Sequence, residues 1–181
     1  MTGRGRKQRP PLNAAKLDEL ALHYVGRFAT SKARLRTYLG RKIRERGWSD
    51  EREPDVAGIT DRLARLGYVD DAAFAAARAR SLTGRGYGAR RVGAALHSAG
   101  IAEDDREAAD ELVEAEKVNS ALRFAERRRV GPFAAERPSP EAREKAIGAM
   151  LRAGHRFALA RAIVTLDPGE EPDREALAEC R

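Results

Sequence analysis

The amino-acid sequence predicts an all-α fold, on three observations. Apolar residues recur at spacings of three and four along most of the chain, which is the period of a helix with one buried face. The chain has eight prolines, and none lies between Pro54 and Pro132, so the central stretch has no obligatory helix breaker. Several of the periodic segments end in glycine followed by an apolar residue, as at Gly67 and Gly100, which is typical of helix C-termini.

The first predicted repeat spans residues 14–68 and contains three helices. The second of these helices begins after Ser31, a predicted N-cap, and ends at Gly47. The third begins with Pro54, whose missing amide costs nothing in a first turn, and ends at Gly67.

Two more repeats are predicted, over residues 69–115 and 116–167. Asp70 is the predicted N-cap of the first helix in the second repeat, and the glycine-rich segment 84–88 separates that helix from the next. In the third repeat, Ser139 is the predicted N-cap of the middle helix.

The spacing of the glycine stops indicates the repeat. Gly47, Gly100 and Gly154 each lie between two predicted helices and are 53 and 54 residues apart. We therefore expect three tandem three-helix repeats with about nine helices, forming an elongated, curved, solenoid-like molecule. A basic flexible arm over residues 1–13 and an acidic tail over residues 168–181 are predicted to flank the repeats.

Composition narrows the functional classes. Lys and Arg total 35 against 28 for Asp and Glu, and the net charge of +7 favours phosphate-rich or acidic partners. The one cysteine, Cys180, excludes an intramolecular disulfide and a cysteine zinc cluster. No apolar run approaches the roughly 18–20 residues that span a membrane, and the N-terminus lacks the apolar stretch of a signal peptide. We expect a cytoplasmic protein.

No pattern in the sequence predicts catalysis, a metal or a cofactor. The segment 84–88 follows a helix and lacks the Gly-Lys-Ser/Thr ending of a phosphate loop. Asp70 and Asp71 are explained by helix capping rather than by metal binding. The three histidines are predicted to lie at the surface or at helix boundaries: His23, His97 and His155. The sequence therefore predicts a protein that is not an enzyme.

The distribution of charge predicts a binding surface. Residues 27–46 hold eight basic residues and one acidic residue, while residues 78–91 hold five arginines and no acid. Residues 102–116 hold eight acids and one arginine. Most charged runs are solvated helix faces, but two arginine-rich segments at corresponding repeat positions favour recognition of carboxylate or phosphate. The predicted contact residues are Arg27, Arg34, Arg41, Arg44, Arg78, Arg85, Tyr87, Arg90 and Arg91.

Residues 66–75 and 85–101 resemble the central signature of the RecX family, whose members regulate the RecA recombinase. Ser31 and Leu35 also match the Ser-x-x-x-Leu pattern of that family's first repeat, and the segment 146–163 resembles its last helical pair. The sequence departs from the family at Ala153-Gly154-His155, where arginine, glycine and an aromatic residue are usual. The signature residues are Gly67, Tyr68, Asp70, Asp71, Phe74, Gly86, Gly88, Leu96, Gly100 and Ile101.

The resemblance implies a function. RecX proteins consist of tandem three-helix repeats, lie in the helical groove of the RecA–single-stranded DNA filament, and restrain its ATPase and strand-exchange activities. They thereby limit recombination and the SOS response. The implied partners are the RecA filament and the single-stranded DNA within it, bound by a monomer without a cofactor.

A sequence-specific DNA-binding protein is the alternative that the residues leave open. Three-helix units with a basic second or third helix are also how helix-turn-helix proteins read duplex DNA. Against this alternative, side chains that pair with base edges are scarce, since the only amides are Gln8, Asn13 and Asn119.

Overall fold

The computed structural model describes residues 10–180, and the all-α class is confirmed. Within that range the only β-structure is an isolated parallel bridge between Leu12 and Trp48. None of the helices described there is long and apolar enough to cross a membrane. Residues 10–180 form ten helices: α1 (Ala14–Val25), α2 (Lys32–Arg46), α3 (Val56–Arg65), α4 (Asp71–Gly84), α5 (Ala89–Ser98), α6 (Glu107–Ala115), α7 (Lys117–Arg128), α8 (Pro140–Arg152), α9 (Phe157–Thr165) and α10 (Arg174–Ala178), with a 3₁₀ turn at Gly131–Phe133.

The chain divides into two compact units, unit 1 (Met1–Phe74) and unit 2 (Ala75–Arg181), with the boundary inside α4. In unit 1, α1, α2 and α3 bury one apolar face each, as the spacing of three and four predicts. The buried cluster of unit 1 consists of Leu12, Leu17, Ala21, Leu35, Leu39, Ile59, Leu63 and Val69.

The segment immediately before α1 belongs to this fold and not to the predicted flexible arm. Leu12 is fully buried, and its backbone pairs on both sides with the chain that follows α2: its N–H donates to the Gly47 carbonyl at 3.0 Å, and its carbonyl accepts from the Ser49 N–H at 2.8 Å. The Arg46 guanidinium also donates to the Pro10 carbonyl at 2.8 Å. The rest of the predicted arm, residues 1–9, lies outside the described residues.

Unit 2 has a core built around α7, which is buried along most of its length. Helices α8, α9 and α10 pack on it, and the buried cluster includes Phe124, Met150, Ile163 and Leu177. The predicted acidic tail therefore contains a helix that sequence reasoning missed. The Asp173 carboxylate caps α10 by accepting from the N–H groups of Glu175 and Ala176.

Most predicted N-caps are present. The Ser31 and Ser139 side chains accept from the backbone N–H three residues later, as does Asp70 at the start of α4. The predicted start of α3 at Pro54 is two residues early, because the Asp55 carboxylate accepts from the Gly58 N–H at 2.7 Å and caps a helix that begins at Val56.

The glycine stops at Gly67, Gly100 and Gly154 share one geometry. Each has a positive φ, and the next residue donates its N–H to the carbonyl five residues earlier, as Tyr68 does to Leu63 at 3.0 Å. Gly47 also has a positive φ, but the residue after it does not donate its N–H to the carbonyl five residues earlier. The chain that follows Gly47 pairs with Leu12 instead.

Candidate partner-binding surfaces

Helix α2 presents a basic face in unit 1. Arg34, Arg41 and Arg44 are exposed, whereas Leu35 and Leu39 on the opposite side are fully buried. The apolar spacing fixes which side meets the core, and the arginines are left on the solvent side.

Part of this charge is neutralised within the helix. The Glu45 carboxylate accepts from Lys42 at 2.7 Å and from Arg41 at 2.8 Å, and these two hydrogen bonds lower the pKa of the Glu45 carboxyl. Such exposed pairs add little stability. They do reduce the charge that Arg41 offers to a partner, whereas Arg44 has no carboxylate within 4.0 Å among the described residues.

Aromatic rings lie beside this basic face and form an aromatic stripe, defined as Tyr24, Phe28 and Tyr38. Tyr24 stacks on Tyr38 at 4.1 Å between ring centroids and lies 5.3 Å from Phe28. The Arg41 guanidinium lies 5.6 Å from the Tyr38 ring, and the Arg27 guanidinium 5.9 Å from the Phe28 ring. Tyr24 and Tyr38 are half-buried, whereas Phe28 is 53% exposed because it follows the last turn of α1.

The paired aspartates of the signature act on two different helices. Asp70 caps its own helix, α4, through the Ala73 N–H at 2.8 Å. Asp71 is buried and accepts the backbone N–H of Lys32, at the start of α2. The signature residue Phe74 lies 5.3 Å from the Arg34 guanidinium, so this end of α4 also positions an arginine of the basic face.

In unit 2 the signature turn between α4 and α5 docks on the turn between α8 and α9. The Gly88 N–H donates to the Ala153 carbonyl at 2.9 Å, and the Arg90 N–H donates to the Gly154 carbonyl at 3.1 Å. A side chain at Gly88 would place its Cβ 2.5 Å from the Gly154 backbone, so the approach requires glycine.

His155 completes this contact. It lies at a helix boundary, in the turn between α8 and α9, as the sequence predicts, but it is buried rather than at the surface. The residue is 3% exposed and its Nε2–H donates to the Gly86 carbonyl at 3.0 Å, which assigns the tautomer because a carbonyl only accepts. Burial lowers the pKa of the imidazole, and the bond to Gly86 opposes that shift. The ring also meets Phe124 edge-on at 5.7 Å.

The predicted arginines of unit 2 do not share one environment. Arg85, Arg90 and Arg91 are exposed. Arg78 is half-buried, and its Nε is enclosed without a hydrogen-bond partner among the described residues. Arg85, Arg90 and Arg91 are therefore the accessible arginines among the contact residues predicted in unit 2.

Three helices of unit 2 form an arginine groove of about 340 Å³ that the sequence did not predict. Arg91 lies 5.9 Å from the Tyr87 ring, and Arg128 and Arg127 lie 5.7 and 6.0 Å from the Phe124 ring. Among the described residues, no carboxylate lines the groove. The arginine groove is defined by Tyr87, Arg91, Phe124, Arg127, Arg128 and Arg152.

The groove escaped sequence reasoning because its arginines come from segments far apart in the chain. Arg91 belongs to α5, whereas Arg127 and Arg128 end α7 and Arg152 ends α8. The run of three arginines at residues 127–129 was the available signal.

Comparison with known proteins places these features in a family. Residues 70–109 match the family profile described as RecX, second three-helix domain. The chain is 28% identical over 173 residues to the regulatory protein RecX of Myxococcus xanthus (strain DK1622), covering 91% of this chain and 92% of that protein. It is 31% identical over 164 residues to the regulatory protein RecX of Mycobacterium sp. (strain JLS), covering 87% and 86%. The crystal structure of RecX from Lactobacillus salivarius has a similar fold, with a TM-score of 0.59 at 20% identity over 83% of this chain and 94% of that one.

Proposed function

The chain belongs to the RecX family, and we propose that it binds the filament formed by the RecA recombinase on single-stranded DNA and inhibits that filament's ATP hydrolysis and strand exchange. Its relatives are named as regulatory proteins rather than as enzymes. In this proposal the chain acts as a cytoplasmic monomer without a cofactor and limits homologous recombination and the SOS response.

Family membership is the observation that carries the proposal. The similarity to the mycobacterial relative extends over 87% of this chain, and the family profile includes the signature turn at Gly86 and Gly88. In the structure this turn is a close backbone contact that side chains would prevent, so the signature reflects a constraint of the fold.

The arginine surfaces support a binding role. Exposed guanidinium groups bind carboxylates and phosphates in the same forked geometry, and a nucleoprotein filament presents both. We propose that the partner is contacted by the arginines first identified from sequence, with the accessible Arg34, Arg44, Arg85, Arg90 and Arg91 contributing most. The division into three repeats, at residues 14–68, 69–115 and 116–167, is part of the same proposal.

The test is ATP hydrolysis by RecA on single-stranded DNA, measured with the chain added from substoichiometric to stoichiometric amounts. The rate is expected to fall over that range. A helicase whose ATP hydrolysis also depends on single-stranded DNA serves as the control, with DNA in excess. Unchanged RecA hydrolysis in the presence of folded chain contradicts the proposal, and equal inhibition of the helicase shows that the chain acts through DNA rather than on RecA.

A further inference from the structure

We propose that the arginine groove, together with the groove that adjoins it at Arg127, is a track for the backbone of single-stranded nucleic acid, which the chain binds without RecA. This inference deepens the proposed function and rests on it in one respect: it assigns the DNA contact of a filament-binding protein to one surface of unit 2. The binding itself is a property of the chain alone.

The first observation is unpaired positive charge. Arg91, Arg127, Arg128 and Arg152 are all exposed, and none has a carboxylate within 4.0 Å among residues 10–180. The contrast is with Arg123 on the same helix as Arg127, which donates to Glu116 at 2.9 Å. Four guanidinium groups around one concave surface repel each other unless an anion lies between them.

The second observation is the length of the basic surface. A second groove of about 210 Å³ is lined by Gly84, Arg85, Arg123, Glu126 and Arg127. Since Arg127 lines both grooves, arginines without a carboxylate within 4.0 Å among the described residues extend from Arg152 to Arg85. The Glu126 carboxylate in the second groove offsets only part of their charge. Two adjoining grooves fit a polymer of phosphates better than they fit one mononucleotide.

The third observation is an aromatic ring beside the charges. Tyr87 is half-buried against the core of unit 2 and also lines the arginine groove, next to the Arg91 guanidinium. Binding of single strands combines a positive groove with aromatic rings on which bases stack. An acidic peptide offers carboxylates to the arginines but no flat rings to Tyr87, so the pairing of charge and ring favours nucleic acid.

The arginines are also held in place before binding. Arg127 and Arg128 both lie over the ring of Phe124, which is 5% exposed and fixed in the core. A side chain that is already ordered loses less conformational entropy when a ligand binds.

The experiment measures, without RecA, the fluorescence anisotropy of a labelled oligothymidylate of about 20 nucleotides. This length exceeds the roughly 4–16 nucleotides that one oligonucleotide-binding (OB) fold covers. The groove variant is Arg127→Glu with Arg152→Glu. The matched control is Lys145→Glu with Arg161→Glu, which makes the same change in net charge at two exposed positions of unit 2 outside both grooves. Melting temperatures of the three proteins exclude unfolding as the cause.

The groove variant is expected to bind about tenfold or more weakly, because charge reversal removes two phosphate contacts and adds repulsion. The control is expected to stay within about twofold of the parent, since distant charges act through a screened field. The slope of log affinity against log salt is expected to fall by about 1.4 in the groove variant, or about 0.7 for each lost phosphate contact on a single strand.

The inference is overturned if the parent does not bind, if the groove and control variants lose equal affinity, or if a duplex of the same length binds more tightly. Displacement of the oligonucleotide by polyglutamate of equal charge also overturns it and identifies an acidic protein segment as the ligand. The RecA assay is independent of these outcomes, because a chain that inhibits RecA but does not bind the oligonucleotide retains the proposed function and loses only this inference.

Discussion

The Asp71 carboxylate, in the first turn of α4, accepts a hydrogen bond at 2.8 Å from the backbone N–H of Lys32, the first residue of α2. Its other oxygen lies 3.9 Å from the Lys32 ammonium, and the Asp71 side chain is 4% exposed. The first N–H groups of a helix have no partner within it, and Asp71 satisfies one of them while Ser31 satisfies another. Asp71 therefore fixes the start of the helix that presents the basic face of unit 1.

The first prediction is that Asp71→Ala lowers the free energy of unfolding by about 2 kcal/mol, because it leaves a part-buried N–H without its charged acceptor. Asp61→Ala is the control, since it removes an exposed carboxylate that pairs with Arg36 at 2.8 Å and is expected to cost less than about 1 kcal/mol. Urea unfolding followed by circular dichroism measures both. Equal losses in the two variants contradict a special role for Asp71.

Features that depend on a few adjacent residues were predictable from sequence. The caps at Ser31, Asp70 and Ser139 follow from side chains that reach the N–H three residues on. The stops at Gly67 and Gly100 follow from a residue that adopts positive φ without strain.

Contacts between distant segments were not predictable. The sequence identified Asp71 as part of a signature, but its partner Lys32 lies 39 residues earlier. His155 and Gly86 are 69 residues apart, so nothing local marks this histidine as buried. The arginine groove likewise exists only after α5, α7 and α8 have packed together, which explains why Arg152 was absent from the predicted contact residues.

The second prediction concerns the contact between Gly88 and Gly154. Gly88→Ala is expected to lower the free energy of unfolding by about 2 kcal/mol or more, because the new Cβ would lie 2.5 Å from backbone atoms that cannot move aside independently. Gly84→Ala is the control, since its Cβ would meet nothing within 4 Å, and it is expected to be neutral or to stabilise by about 0.5 kcal/mol. Urea unfolding again measures both, and a Gly88 variant as stable as the Gly84 variant would disprove the requirement.

The third prediction is a loss of stability in mild acid that depends on His155. Burial lowers the pKa of this imidazole below the ordinary value of 6.5. As the pH falls through 6.5, the unfolded chain takes up the proton before the folded chain does, so the free energy of unfolding decreases. The loss stops growing once the pH is below the lowered folded pKa.

Two variants isolate that effect. His155→Gln keeps an N–H donor toward the Gly86 carbonyl but does not titrate, and it is expected to flatten the stability profile between about pH 7 and pH 5. His97→Gln, at an exposed position of the same unit, is expected to leave the profile of the parent unchanged. A His155→Gln profile as steep as that of the parent would assign the acid sensitivity to other groups.

The last prediction tests whether the exposed arginines of α2 and α5 bind the RecA filament. Arg44 on α2 and Arg90 on α5 are exposed, and neither has a carboxylate within 4.0 Å in the described part of the chain, whereas Arg41 is already paired with Glu45. Arg44→Glu with Arg90→Glu is expected to weaken binding to the filament by at least about tenfold, or about 1.4 kcal/mol, because each change replaces an attraction by a repulsion. Exposed substitutions of this kind are expected to alter stability by less than about 0.5 kcal/mol.

The control is Arg65→Glu with Arg161→Glu, which changes one exposed arginine in each unit and leaves both predicted contact sets intact. Filament affinity is measured at two salt concentrations beside the melting temperature. The parent and the control are expected to bind more weakly as salt rises, and the double variant is expected to show a smaller salt dependence than either. If the double variant and the control bind equally well, the arginines of α2 and α5 are a solvated surface, and the filament contact must lie elsewhere on the chain.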